Sequence, residues 1–398
     1  MFLNQLINRN PELIKAGILL HQKGLIPANC YVLDIDTIYQ NAKLMAEEAG
    51  KWNLKAFAMT KQIGRNPVAI QAVMRAGIEA GVCVDMNDAR PMAAAGMKIG
   101  HLGHLVQVPF AETRAAVDLN PAYWMVYNDE KAAAISKALK PSEHQNIMVR
   151  IYGNGDSFYH GHEAGYLDED ILETAHRIDS MKGLSFSGIA TFPAQLYDPE
   201  TLSVNPTHNY ETLLKTAELL RHNGYPKLEV NAPGTTSSHI FRRLAEDGVT
   251  QVEPGHGLTG TTPIHAYREM PERPAYIYVS EISHYYGGKP YCFGGGMYVD
   301  PVFEPYEVKA CVGSDPDEAL RQRIGCELPE PKAIDYYGIL QPEKGQQTRV
   351  GDTVVFGFRA QMFVTRAYVA PVSGISKNEP KVEGIFTTDG REVGWPEW

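Results

Sequence analysis

The chain has 398 residues, and because single hydrophobic cores stop growing at ~250–300 residues, this length predicts two domains. Its 44% hydrophobic composition is that of an ordinary globular protein. Its formal charge of −10, mixed along the chain, argues against the basic face that a nucleic-acid-binding protein needs. No apolar run approaches the ~18 residues of a membrane span, the N-terminus lacks a signal-peptide pattern, and the five cysteines are scattered, so we expect a cytoplasmic protein with reduced thiols and no membrane partner.

Residues 1–26 precede the first predicted strand, and residues 30–50 have the pattern of a short strand followed by a helix. From residue 55 onward, short apolar runs alternate with amphipathic helical patterns, which is typical of a parallel sheet covered on both faces. The predicted strands of this region are 55–59, 80–84, 104–108, 123–127, 147–151, 184–190, 227–231 and 251–253. Eight such repeats favour closure into a (β/α)8 TIM-type barrel, although an open doubly wound sheet fits the alternation nearly as well.

After residue 270 the composition shifts to β-branched and aromatic residues separated by Gly and Pro, and the helical periodicity is lost. Segments such as AYIYVSEISHYYG and QMFVTRAYVAPV therefore predict a separate β domain. We predict an α/β fold in which a barrel of residues 27–265 is followed by a C-terminal β domain, the β-rich part consisting of residues 1–26 and 266–398.

Lys61 comes directly after the first predicted barrel strand. In a (β/α)8 barrel, functional groups gather at the C-terminal ends of the strands, but a lone lysine there is usually a solvated loop residue. The segment after strand seven, VNAPGTTSSH, supplies Thr235, Thr236 and Ser237 just before a predicted helix. Hydroxyl groups and free N–H groups at a helix start favour an anion, although a plain helix cap would need only one of these residues.

The segment after strand eight, VEPGHGLTG, places Glu253 at the strand end and Gly255 in the turn that follows. Glycine lets the backbone approach a ligand closely, whereas Glu253 could simply pair with a neighbouring helix. If the barrel closes, Lys61, the 234–238 loop and the 253–257 turn face one pocket. An amine for a Schiff base, a phosphate cradle and a carboxylate for the pyridinium nitrogen are the groups that pyridoxal phosphate requires.

These segments resemble the fold-type III pyridoxal-phosphate enzymes, which include alanine and ornithine racemases, D-threonine aldolases and ornithine or diaminopimelate decarboxylases. AMTKQIGRNPVAIQAVMRAGIEAGVCVDMNDA is similar to the strand–lysine–helix unit of that family, VNAPGTTSS to its seventh-strand phosphate loop, and VEPGHGLTG to its eighth-strand segment. The likeness covers most of residues 30–265 and is weak in the C-terminal part. It implies pyridoxal 5'-phosphate as the cofactor, with Lys61 as the Schiff-base residue and one acid/base.

The resemblance also implies roles at positions where this chain differs from alanine racemases. Glu253 stands where they carry arginine, which favours a protonated ring nitrogen and makes a dedicated alanine racemase less fitting. Arg65 stands where they have tyrosine, and it either reaches the phosphate or is solvated. Gly255 and His256 are expected in the phosphate-binding turn. Phe192 replaces a histidine that backs the ring, or it is a core aromatic residue.

Three further residues are candidates for the substrate side of the site. His162 lies in the loop after the fifth strand, and Tyr298 and Tyr337 lie in the β domain. Enzymes of this kind take a second acid or base from the β domain of a partner subunit, which implies a homodimer with a shared active site. D-threonine aldolases hold a metal through His and Asp near the C-terminus, but no histidine follows residue 340 here, so we predict no metal site.

The resulting hypothesis is a pyridoxal-phosphate-dependent racemase or epimerase whose small-molecule substrate is an amino acid. An amino-acid decarboxylase that uses the same cofactor is the nearest alternative, and Glu253 supports it. A non-catalytic carrier of pyridoxal phosphate is a second alternative, against which the β domain argues. A sugar- or phosphate-metabolising barrel without this cofactor is a third.

Overall fold

The computed structural model describes residues 1–298, 306–330 and 333–395. The helices in these ranges are α1 Phe2–Arg9, α2 Pro11–Gln22, α3 Ile35–Lys51, α4 Pro67–Arg75, α5 Met86–Ala94, α6 Thr113–Asp118, α7 Asp129–Ala138, α8 Ile171–Ser180, α9 His208–His222, α10 Phe241–Glu246 and α11 Pro316–Arg321. Within the described ranges, no helix combines the length and the apolarity that crossing a membrane would take.

The strands of the described ranges fall into three sheets. In chain order they are β1 Cys30–Asp34, β2 Lys55–Ala56, β3 Ala80–Cys83, β4 Lys98–Leu102, β5 Tyr123–Val126, β6 Gln145–Tyr152, β7 Tyr166–Leu167, β8 Leu184–Ala190, β9 Gln195–Asp198, β10 Ser203–Pro206, β11 Glu229–Asn231, β12 Gln251–Val252, β13 Tyr276–Tyr286, β14 Lys289–Phe293, β15 Val308–Gly313, β16 Arg323–Glu327, β17 Tyr337–Gln341, β18 Thr353–Phe356, β19 Tyr368–Ser373, β20 Lys381–Val382, β21 Ile385–Thr387 and β22 Glu392–Val393.

The chain folds into two compact units, each built from separate stretches of sequence. The barrel unit comprises Lys43–Thr60 and Met74–Gly255, and the β unit comprises Met1–Ala42, Lys61–Val73 and His256–Trp398. Because neither unit is continuous along the chain, the domain boundaries predicted at residues 27 and 265 stay predictions.

The sheet of the barrel unit has nine strands, of which eight are parallel in the order β2-β12-β11-β8-β6-β5-β4-β3, while β7 pairs with β6 outside this order. The two ends of this order meet at a parallel bridge between Ala58 and Gly81. Two backbone hydrogen bonds close it, from the Ala58 N–H to the Ala80 carbonyl at 3.0 Å and from the Val82 N–H to the Ala58 carbonyl at 2.9 Å. The predicted barrel is therefore confirmed, and the open doubly wound sheet is wrong.

The helices between the barrel strands begin at polar residues that satisfy their first N–H groups. Asn128 accepts a hydrogen bond from the Lys131 N–H and caps α7, as its position in the sequence predicts. For α5 the cap is Asp85, whose side chain accepts the N–H groups of Asn87 and Asp88. Each cap sets where a strand-to-helix connection ends, and so where the next side chains leave the barrel end.

The third barrel strand lies earlier in the chain than the apolar run at 104–108 predicts. The strand is β4, Lys98–Leu102, and a turn with a positive φ of 78° at Gly103 ends it. Its sequence, KIGHL, is not typical of a strand. Inside a barrel, the residue at each position has to fit the space that neighbouring side chains leave. A side chain at Gly100 would collide with the Phe57 ring, 2.2 Å from the added carbon. His104 consequently lies beyond the C-terminal end of the strand.

The β unit is built on an antiparallel sheet in which β13, β14, β17, β16, β15 and β18 form a closed ring of pairings. The predicted C-terminal β domain is thereby confirmed. Strand β1 joins the same sheet, antiparallel to β13 and parallel to β19. Helix α2 packs on this sheet, and Gly17 permits the close approach because an added Cβ would lie 2.3 Å from Ile277.

A row of polar side chains runs through the barrel interior. At one end, Glu229 pairs with Lys55 and accepts a hydrogen bond from Gln251 Nε2 at 2.9 Å. Burial would raise the pKa of Glu229, but the hydrogen bonds from Lys55 and Thr250 outweigh it and lower that pKa. His101, fully buried, contacts Gln251 Oε1 through Nε2 at 2.6 Å. Burial lowers the pKa of His101 to about 4.

We expect this histidine to make folding stability depend on pH. Its pKa is lower in the folded chain than in the unfolded chain, so the stability that it contributes is complete above pH ~6.5 and is lost as the pH falls towards 4. The shift corresponds to about 3 kcal/mol. Urea unfolding of His101→Gln should show a shallower loss of unfolding free energy between pH 7 and 4.5 than the wild type. His144→Gln, at an exposed position, should follow the wild type; equal slopes for all three proteins would contradict the expectation.

Candidate active site

Lys61 lies in a single 3-10 turn, Thr60–Ile63, which follows the first barrel strand along the chain. The side chain is half-buried, and Nζ lies 4.8 Å from the centre of the Phe363 ring. A ring face attracts a cation because its quadrupole is negative there, so the Phe363 ring is one favourable contact of this amine. The sequence offers no sign of this contact, which joins residues 302 positions apart.

Arg65 lies on the same aromatic ring as Lys61. Its guanidinium carbon is 5.6 Å from the centre of the Phe363 ring, and Nη1 donates to the Thr388 carbonyl at 3.4 Å. Its backbone has a φ of 50°, in the left-handed region, and the residue is buried. The solvated alternative for Arg65 is therefore wrong, and its contact with phosphate stays a prediction.

His256 is a buried residue whose environment keeps its ring neutral. Its Nδ1 lies 3.1 Å from Thr261 Oγ1, and its carbonyl accepts the Thr261 N–H at 2.9 Å. Burial, together with the positive charges of Arg359 and Lys61, holds the pKa of His256 well below its ordinary value. The positive charges of Arg359 and Lys61 act on His256, and Arg359 was not predicted from the sequence as a residue near it.

In the barrel unit, Glu253 follows β12 and is held from two sides. Asn231 Nδ2 donates to Glu253 Oε1 at 2.8 Å, and His104 Nε2 lies 3.2 Å from Glu253 Oε2. The side chains of Glu253 and His104 are each 2% exposed. Asn231 and His104 come from a barrel strand and from the residues directly after one, and the predicted alternative, an ion pair with a neighbouring helix, stays a prediction.

An aromatic group surrounds Phe192, which follows β8. The rings of Tyr159, His162 and His104 lie 5.7, 6.1 and 6.1 Å from it, centre to centre. The buried Arg150 donates to the Phe192 carbonyl through Nη2 at 2.9 Å. His162 is exposed on the outer side of this group, so the structure brings it next to Phe192, while its contact with a substrate stays a prediction.

The loop after β11 approaches another strand closely at Gly234. An added Cβ at Gly234 would lie 2.2 Å from the Gln195 carbonyl oxygen, and the Thr235 N–H donates to that oxygen at 3.0 Å. Thr236 and Ser237 are buried, and Ser237 Oγ lies 2.9 Å from His239 Nδ1. The helix predicted to follow begins as a 3-10 turn, Ser238–Ile240, and α10 adds six residues.

The two tyrosines predicted for the substrate side lie in the β unit. Tyr337 packs edge-on against His284 at 5.0 Å and close to Phe293 at 5.8 Å. Tyr298 follows β14 and is 38% exposed. Their contact with a substrate or with a second subunit stays a prediction. Within the described residues, no group of three or more His, Cys, Asp or Glu side chains is arranged to hold a metal ion.

A closed parallel barrel followed by an antiparallel β domain is the fold of the alanine racemases. The family of the alanine racemase N-terminal domain matches residues 33–263, more than half of the chain, and the chain belongs to this family, which is fold type III of the pyridoxal-phosphate enzymes. The YhfX-like C-terminal domain matches residues 277–382. The uncharacterized protein YhfX of Escherichia coli (strain K12) is 35% identical over 99% of this chain and 100% of its own length.

Two solved structures show how widely this fold is used. D-threonine aldolase from Filomicrobium marinum has a TM-score of 0.68 at 18% identity, covering 92% of this chain and 95% of its own. Alanine racemase from Clostridium difficile 630 has a TM-score of 0.65 at 13% identity, covering 91% and 99%. At these identities the likeness concerns the fold, and the reaction has to be argued from the residues.

Proposed function

We propose that this protein is a pyridoxal-phosphate-dependent enzyme that acts at the α-carbon of an amino acid, as a racemase or epimerase. The observation that carries the proposal is Glu253, a buried carboxylate at the end of the eighth barrel strand, with Asn231 donating to one oxygen and His104 Nε2 lying 3.2 Å from the other. Burying a carboxylate costs free energy unless a cation or a hydrogen-bond donor pairs with it. In the family to which the chain belongs, this position faces the ring nitrogen of the cofactor.

The chemistry of the available groups fits the cofactor. Lys61 supplies an amine that can hold the aldehyde carbon covalently, and the Phe363 ring is one favourable contact of that amine. The hydroxyls of Thr235, Thr236 and Ser237 and the turn at Gly255 and His256 are the proposed phosphate contacts. Arg65, on the same ring as Lys61, is a further candidate for the phosphate.

When bound, pyridoxal phosphate supplies an electron sink for the charge that develops at the α-carbon. Glu253 would hold the ring of the cofactor by accepting a hydrogen bond from it through the buried carboxylate. Lys61 would hold the cofactor through its amine, and the same amine is proposed to take the α-proton of the substrate or return it. His256, held neutral by its surroundings, adds no charge to this exchange.

A second acid or base is needed because racemisation removes the α-proton from one face and returns it to the other. We propose that Tyr298 or Tyr337 of a second copy of the chain provides it, in a homodimer with a shared active site. Both tyrosines are partly exposed, at 38% and 39%. A cytoplasmic location is part of the same proposal.

Decarboxylation of an amino acid is the second candidate reaction, and Glu253 is again the reason. A carboxylate at the ring nitrogen strengthens the electron sink, which also favours loss of carbon dioxide. A non-catalytic carrier is disfavoured by the β unit, whose closed ring of strands is a substantial second structure.

Incubation with single amino acids in D2O would separate these reactions. Protein reconstituted with pyridoxal phosphate should show an absorbance band at about 420 nm from the lysine-bound cofactor. A racemase should then deuterate the α-carbon of its substrate and equalise its two enantiomers, whereas a decarboxylase would release the amine and carbon dioxide. Failure to develop the band after reconstitution would refute the cofactor assignment itself.

A further inference from the structure

Two amide side chains, those of Gln251 and Asn231, link Glu229 to Glu253 through the barrel interior. Glu229 determines which way each amide group is turned, and so which group faces the Glu253 carboxylate. Glu229, ionised beside Lys55, can only accept hydrogen bonds, so Gln251 must turn its Nε2 towards it. The Gln251 Oε1 then faces Asn231, whose Nδ2 lies 3.3 Å from it. Asn231 must consequently present its N–H groups, and it donates to Glu253 Oε1.

The second carboxylate oxygen, Oε2, is faced by His104 Nε2 at 3.2 Å. Asn231 donates to Oε1, so a proton on His104 Nε2 would give the second oxygen a donor at the 3.2 Å that separates the two atoms. His104 is itself fixed on its other sides. Its carbonyl accepts the Tyr127 hydroxyl at 2.6 Å, and its ring meets the Phe192 ring edge-on at 81°.

The charged and titratable groups around this pair come from neighbouring strands. Tyr127, after β5, has a pKa raised by burial, so it stays protonated at neutral pH. Arg150, on β6, is the cation of this group, and its Nη1 lies 3.4 Å from the Tyr127 hydroxyl. Among the described neighbours, Asn231 and Phe192 are uncharged, and each contacts a histidine, His101 Nε2 at 3.4 Å from Asn231 Nδ2 and the His162 ring at 6.1 Å from the Phe192 ring. Within this group, His104 is the residue whose ring nitrogen, which can carry a proton, lies 3.2 Å from a Glu253 oxygen.

We propose that His104 is a positioning residue for Glu253, donating its Nε2–H to Oε2 and so keeping the carboxylate ionised and aimed. The proposal rests on the proposed function, in which Glu253 faces the ring nitrogen. A carboxylate that accepts two hydrogen bonds is less basic than one that accepts a single bond. His104 thereby biases the shared proton towards the ring nitrogen and away from Glu253.

The pair can first be tested in protein without cofactor, by NMR of the histidine ring nitrogens over a pH series. The negative charge of Glu253 should favour protonated His104, so the titration midpoint of His104 should fall by about one pH unit or more in Glu253→Gln. His144, which is exposed, should titrate identically in both proteins. An unchanged midpoint for His104 would overturn the proposal whether or not the protein binds pyridoxal phosphate.

The role towards the cofactor needs a second measurement on the loaded protein. In His104→Phe, the midpoint of the pH titration of the ~420 nm band should move by about one unit, whereas His104→Gln, which keeps an N–H donor, should stay near the wild type. His144→Phe is the matched control. A His104→Phe midpoint equal to that of the wild type would overturn the role. If wild-type protein forms no band, the proposed function fails instead, and the NMR result stands apart from it.

Discussion

Replacing Lys61 by alanine is expected to remove the ~420 nm band of the lysine-bound cofactor and to lower turnover by at least about 10⁴-fold. Two functions are lost together, because the proposal makes this amine both the covalent anchor and an acid/base. Acid–base catalysis alone contributes about 10²–10⁴-fold, so the loss should exceed that of an ordinary site residue. Absorbance spectra and steady-state rates measure the two effects separately.

The loss should not reflect unfolding. Lys61 is half-buried, and its described contact is the ring of Phe363, a cation–π interaction worth about 0.5–1 kcal/mol at a partly exposed site. Lys61→Arg keeps the positive charge over that ring but cannot form the covalent link, so it should be as inactive as Lys61→Ala. Lys98→Ala is the control, because Lys98 makes an exposed pair with Glu79. A band that persists in Lys61→Ala would place the anchor at another lysine.

Glu253→Gln should lower turnover by about 10²-fold while leaving the absorbance band present. The substitution keeps the size of the side chain and removes its charge, and a hydrogen bond to a charged partner is worth about 1.5–3 kcal/mol. Without the carboxylate, the ring nitrogen loses the acceptor that holds its proton, so the electron sink weakens while Lys61 still anchors the cofactor. Rates measured at saturating cofactor separate this effect from weaker binding.

The matched control is Glu246→Gln, which removes an exposed carboxylate paired with Arg242 one helical turn away. It should leave both the band and the rate unchanged, since exposed pairs of this kind contribute little. Full activity in Glu253→Gln would contradict the role at the ring nitrogen. Loss of the band in that variant would show that Glu253 holds the cofactor rather than tuning it.

The alternation of short apolar runs with amphipathic helices predicts the barrel, because strands and helices differ in the period at which apolar residues recur along the chain. One strand is misplaced, since KIGHL at 98–102 has one β-branched residue and a glycine, whereas HLVQV at 104–108 has two β-branched residues and no glycine. The reason is packing: at Gly100 the absence of a side chain makes room for Phe57. This error also hid His104, which becomes a candidate only when it is seen beyond the strand end.

The sequence predicts that Lys61, the Thr235–Ser237 hydroxyls and Glu253 follow strands one, seven and eight. It can do so because the order of strands and loops is read directly along the chain. Their partners are not visible. Phe363 contacts Lys61 across 302 residues, and His104 reaches Glu253 across 149 positions. Such pairs depend on strand register and barrel closure, which local patterns do not encode.

The sequence by itself thus determined the (β/α)8 barrel and the β domain, since both follow from the periodicity and composition of the chain. It also determined the lysine, hydroxyl and carboxylate candidates, since these follow from the order of the motifs. Only the tertiary structure decided which side chains, those of Asn231 and His104, lie next to the buried Glu253 carboxylate. It also decided that Arg65 is buried against Phe363 rather than solvated. The physical reason is that a buried charge takes whatever partner closure of the fold brings within hydrogen-bond distance.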